Sequence, residues 1–114
     1  MSYDTARQLD HASVALRALV TGFPDLPAAD VHISMVMAPD VFEIGVRFAF
    51  HDSAEHFEQW RQALDIDPAT VQLRPLTREG LHELRGFARY AGSLVELTGY
   101  LDLPDLTATA APAA

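Results

Sequence analysis

Three features of the sequence predict an α+β fold: stretches in which apolar residues alternate, two segments with helical apolar stripes, and a hydrophobic fraction of 49% against 21% charged residues. The expected architecture is a mainly antiparallel sheet of about five strands with two helices on one face, in the order α-β-β-α-β-β-β. A chain of 114 residues is long enough to bury one core without disulfides or metals. Residues 1–106 are therefore expected to form a single domain. Residues 107–114, made only of threonine, alanine and proline, are expected to be a disordered tail.

Residues 5–21 predict the first helix, because Leu9, Ala12, Leu16 and Leu19 recur at spacings of three and four, with Asp4 or Thr5 as the cap. Gly22 fits a left-handed position just past its end, and Phe23 is placed to fold back on the last turn. After the extended Pro24–Pro27 connection, Val31, Ile33, Met35 and Met37 alternate at strand period. The second strand, 41–50, puts Phe42, Ile44, Val46, Phe48 and Phe50 on one face, and Pro39 suits a turn between the two strands. Pairing Met37 with Phe42 then aligns Met35 with Ile44 and Ile33 with Val46, and brings His32 near Arg47 on the opposite face.

Asp52 and Glu55 resemble a capping box ahead of a helix over about 53–65, whose stripe is Phe57, Trp60 and Leu64. A short strand over 71–76 is placed at an edge by Pro75. Residues 81–103 admit a helix ending at Gly92 or a hairpin turning at Ala91-Gly92. The hairpin is preferred, since Leu94–Leu101 is a strand that needs a neighbour. It sets Tyr90 opposite Ser93, Ala88 opposite Val95, Gly86 opposite Leu97, Leu84 opposite Gly99 and His82 opposite Leu101.

The composition removes whole mechanisms. All eight basic residues are arginine, and lysine, cysteine and asparagine are absent. Schiff-base catalysis, a P-loop ammonium, thiol nucleophiles and disulfides are thereby excluded. A net charge of −8 argues against coating nucleic acid or an anionic membrane. No apolar run approaches the roughly 20 residues of a membrane span, and Asp4 stands where a signal peptide would be positive. The expected compartment is the cytoplasm, and no cofactor is expected.

Three constellations are candidates for a site. His51, Asp52, Glu55 and His56 combine imidazole with carboxylate, which suits a metal or acid–base chemistry, although capping also accounts for Asp52 and Glu55. His32 and Arg47 on one sheet face offer an anion pocket. The third is on the outer face of the expected C-terminal hairpin. There Arg85, Phe87 and Arg89 stand beside Leu94, Glu96 and Tyr100, which is the residue mixture of an interface core. That face suits a protein partner, most simply a homodimer, or cover from within the chain. Glu83 and Glu96 make it a poor phosphate track, so nucleic acid is not an expected partner. An acidic DNA mimic is a further alternative, disfavoured because the sixteen acids form no run.

The segments LPAADVHI (26–33), AEHFEQWRQAL (54–64) and YAGSLVELTGYL (90–101) resemble small uncharacterised actinobacterial α+β proteins of Streptomyces type, associated with phage or mobile elements. The resemblance covers about two thirds of the chain and implies a GC-rich bacterial or phage source, but it carries over no catalytic residue. The sequence thus points to a small non-enzymatic protein-binding or regulatory domain that self-associates through the outer face of its C-terminal hairpin. The alternative is a metal-binding protein or small enzyme using the histidine cluster.

Overall fold

The computed structural model describes residues 5–51, 53–76 and 80–102. Two helices, α1 (Ala6–Gly22) and α2 (Ala54–Ala63), accompany five strands: β1 (Asp30–Met37), β2 (Phe42–Phe50), β3 (Gln72–Pro75), β4 (Leu81–Tyr90) and β5 (Ser93–Asp102). A single 3-10 turn, Pro68–Thr70, leads into β3. The strands form one sheet in the order β1-β2-β5-β4-β3. The fold class is the expected α+β. The sheet is mixed rather than purely antiparallel, because β2 and β5 run parallel.

That exception follows from burial. β5 is the most continuously buried strand, Ser93 to Gly99 being covered on both faces, so it takes the centre and borders both hairpins. The antiparallel registers are those read from the sequence, with Met37 opposite Phe42, Ile33 opposite Val46, Ala88 opposite Val95 and Leu84 opposite Gly99. Residues 81–90 are a strand and not a helix. Both turn residues, Ala91 and Gly92, have positive φ of 50° and 83°, the requirement of a two-residue turn that matches strand twist.

Helix α1 begins at Thr5, whose N–H donates to Gln8 Oε1 at 2.9 Å. Gly22 is the last helical residue and not a left-handed stop. The chain leaves the helix through Phe23, whose N–H donates to the Leu19 carbonyl at 2.9 Å. For α2 the cap is Ser53, whose Oγ accepts from the His56 N–H at 3.2 Å, so Glu55 is a first-turn acid and the expected partner Asp52 lies outside the described residues. The helices bury Ala12, Ala15 and Leu19 of α1 and Phe57 and Trp60 of α2 against Val46, Phe48, Phe50, Val95 and Leu97. Trp60 stands edge-on to Phe48 and Phe23, and its Nε1–H donates to the Pro27 carbonyl at 2.8 Å, so its one polar group is satisfied.

The far end of the β1–β2 hairpin departs from the flat arrangement that its apolar pattern suggests. Val36 belongs to the outer face of an edge strand, yet it is fully buried in a second cluster with Ala38, Leu94, Val41 and Phe87. Arg85 of β4 donates to the Met37 carbonyl at 2.9 Å from three strands away in the sheet order. The hairpin tip therefore rolls over the outer face of the sheet toward β4. Gly45 marks the close approach, since a Cβ there would collide with the Leu94 carbonyl oxygen and lie 3.1 Å from its carbon. Rolling the tip turns the opposite side chains away from the helices, and Met37 and Phe42, expected in the core, are 55% and 68% exposed.

Candidate binding surface

The outer face of the sheet is organised around β5. Its outward residues Leu94, Glu96, Thr98 and Tyr100 form a central column, which the parallel register flanks with Arg47 of β2 and the antiparallel register with Arg85, Phe87 and Arg89 of β4. The sequence thus brought the right side chains to one face, and their environment there is specific. Glu96 is only 1% exposed. Its carboxylate lies 3.4 Å from Arg47 Nε and 3.4 Å from Arg85 Nη2, and it accepts a hydrogen bond from Thr98 Oγ1. Arg85 also stacks over Phe87, with its guanidinium carbon 5.0 Å from the ring centre.

Arg89 reaches across Leu94 to Glu43 on β2, where its two terminal nitrogens each lie 3.0 Å from a carboxylate oxygen. This fork holds the Glu43 carboxyl below its ordinary 4.5 and raises Arg89, the hydrogen bond being the larger cause in both. Farther along the face Arg74 pairs with Glu83 at 2.7 Å. Three arginine–glutamate groups therefore close most of this surface within one chain. Leu94 is buried beneath the hairpin tip, while Phe87 and Tyr100 are half-buried.

The Glu43–Arg89 pair has a pH signature. Glu43 titrates lower when folded than unfolded, so its contribution is present above the ordinary carboxylate range and disappears as pH falls through the lowered folded value. Both side chains remain partly exposed, which limits the pair to under about 1 kcal/mol. The expected result is that Arg89→Ala is slightly less stable than wild type at pH 7, and that the gap shrinks at a pH well below the ordinary carboxylate range. Urea midpoints at the two pH values measure it, and a gap that stays constant would contradict the assignment.

The histidine cluster is only partly assembled. His51 and His56 line a cleft of about 360 Å³ with Asp30, Phe50 and the alanines at 28, 29 and 49. His51 Nε2 lies 3.1 Å from Asp30 Oδ2, and its ring stacks on Tyr100 at 5.1 Å with an interplanar angle of 10°. Glu55 does not line this cleft, because α2 starts at Ala54 and His51 precedes it in a bend. Asp30 was not singled out from the sequence. Extending the Met37–Phe42 register to the start of β1 places it opposite Ala49, two residues before His51. Among the described residues no group of three histidine, aspartate or glutamate side chains is arranged to hold a metal ion. His32 and Arg47 are cross-strand partners as expected, but the Arg47 guanidinium is directed to Glu96.

A different surface was hidden in the sequence. Val31, Met35, Met37 and Phe42 share the face that the helices cover elsewhere, yet they are 40%, 40%, 55% and 68% exposed. They sit on β1, which is an edge strand among the described residues, and on the adjoining end of β2. Their alternation reads as a core strand, and only the rolled hairpin turns them to solvent. Among the described residues no helix is long and apolar enough to cross a membrane. No protein-family model matches the chain, and no curated protein or solved structure is similar to it.

Proposed function

We propose that this chain is a small, non-enzymatic protein-binding domain that self-associates in the cytoplasm, with its contact centred on the exposed side of the β1–β2 hairpin. The observation that carries this reading is the row Val31, Met35, Met37 and Phe42, exposed apolar side chains on one face of a chain of net charge −8. Exposed apolar rows of this kind mark interaction sites. The outer face of the β4–β5 hairpin, the surface favoured by the sequence, contributes less: Leu94 and Glu96 are buried and Arg85 and Arg89 are engaged within the chain. Its half-exposed Phe87 and Tyr100 are left as a secondary contact. The resemblance to actinobacterial and phage proteins supplies the proposed biological setting.

Phe42→Asp places a charge at the hairpin-tip end of the proposed contact, at a position too exposed to disturb the core. The expected result is at least a tenfold weaker self-association, about 1.4 kcal/mol, with unchanged thermal stability, read by sedimentation equilibrium over a concentration series. Arg89→Glu, on the other face, should leave association nearly unchanged. The reverse pattern would return the contact to the β4–β5 hairpin.

A further inference from the structure

Among the described residues strand β1 pairs with β2 alone, which leaves its other side an open sheet edge. The Ala38 N–H donates to the Val41 carbonyl at 3.0 Å, which makes Ala38 and Val41 a hydrogen-bonded pair. Alternation along an antiparallel ladder then assigns the N–H and C=O groups of Asp30, His32, Ser34 and Val36 to β2, through the partners Ala49, Arg47, Gly45 and Glu43. The groups of Val31, Ile33, Met35 and Met37 point the other way, to the free edge. One of these is taken, since Arg85 donates to the Met37 carbonyl. Among the described residues Val31, Ile33 and Met35 keep a complete set of outward donors and acceptors.

Natural edges are blunted by proline, charge, bulges or short length. The opposite edge follows this rule, because β3 is four residues long and contains Arg74 and Pro75. β1 does not: it is eight residues long, and residues 31–37 contain no proline, aspartate, glutamate or arginine.

The geometry points to pairing of β1 with β1 of a second copy, antiparallel about a twofold axis perpendicular to the sheet, as the contact of the self-association proposed above, on which this inference rests. Such an axis keeps both helix layers on the same side and pairs residues of the same face. Using the three residues with free groups selects one register: Ile33 opposite the partner's Ile33, and Val31 opposite the partner's Met35. About six backbone hydrogen bonds form, and apolar side chains meet in every hydrogen-bonded pair. The charge pattern agrees, because this register sets His32 opposite the partner's Ser34 and Asp30 opposite the partner's Val36, so no like charges face each other. The paired strip, residues 30–36, spans roughly 23 Å. It is narrow compared with stable dimer interfaces, so the dissociation constant should be on the order of micromolar.

Amide hydrogen exchange of the whole chain, followed by NMR at concentrations well below and well above the association midpoint, tests this residue by residue. The amides of Val31, Ile33 and Met35 should gain tenfold or more protection at high concentration, while those of His32 and Ser34, already bonded to β2, should not change. Met35→Pro removes an outward N–H and no bond within the chain, and should abolish association while the remaining amides keep their protection. Association in sedimentation without the alternating gain would overturn the edge pairing and leave self-association standing. A strict monomer at millimolar concentration would overturn both. Protection of the same three amides by a soluble peptide of alternating valine and threonine, in a chain that stays monomeric, would overturn the assignment to a second copy.

Discussion

Glu96→Ala should lower the unfolding free energy by about 3 kcal/mol, the lower part of the range for breaking a buried ion pair. The carboxylate is 1% exposed and faces the guanidinium groups of Arg47 and Arg85, and it also accepts from Thr98. Removing it leaves two positive groups side by side over the central strand and a hydroxyl without its acceptor. The arginine side chains are 36% and 21% exposed, so they regain part of their hydration, which argues against the top of the range. Glu96→Gln keeps the shape and an acceptor for Thr98 and should cost about half as much. Urea denaturation measures both, with the midpoint moving and the slope unchanged. A loss under about 0.5 kcal/mol for the alanine variant would mean that the cluster is carried without net stabilisation, as some buried pairs are.

Gly45→Ala should be at least as damaging, at about 3 kcal/mol. The new methyl group meets the backbone of Leu94, oxygen and carbon both, and a neighbouring strand cannot yield as a side chain can. Gly99→Ala is the informative contrast. Its Cβ would lie 3.2 Å from Cδ2 of Phe57, an aromatic ring that can shift by a few tenths of an ångström, so it should cost about 1 kcal/mol. Because Gly45 lies where β2 turns over the outer face, the expected damage is also local: the Val36, Ala38 and Leu94 cluster opens, and hydrogen exchange at Val36 and Ala38 rises more than at Val95 or Leu97. Equal costs for the two glycine substitutions would refute this account of the rolled hairpin.

Much of the fold was legible because its signals are local. The alternation of Val31, Ile33 and Met35 with His32 and Ser34 defines β1, and the two-residue turns after Ala38 and Tyr90 set registers that a one-residue slip would invert. The choice of strand over helix for residues 81–90 turned on the need of Leu94–Leu101 for a neighbouring strand, and the pairing sets large residues against small ones, Leu97 opposite Gly86 and Leu84 opposite Gly99. These features depend on nearest neighbours along or across a hairpin. The helix ends were less well read: Ser53 caps α2 and Gly22 stays helical, because neighbouring residues share suitable chemistry and only the chain direction chooses among them.

The candidate site was legible as a set of residues but not in its environment. Arg85, Phe87, Arg89, Leu94, Glu96 and Tyr100 do share one face, as period-two alternation requires. That Leu94 is covered by the hairpin tip, that Arg89 reaches Glu43 and that Glu96 is enclosed by arginines from two different strands depend on β2 lying beside β5, a parallel, long-range pairing without a sequence signature. The same holds for Asp30 beside His51.

By itself, then, the sequence determined the elements, both hairpin registers and the excluded chemistry, because periodicity, turn residues and the absence of lysine and cysteine act through local geometry or need no geometry at all. The tertiary structure alone decided which apolar residues are core and which are surface. Phe42 and Phe48 have the same pattern in the same strand, and the roll of the hairpin at Gly45 buries one beneath a helix and leaves the other in water.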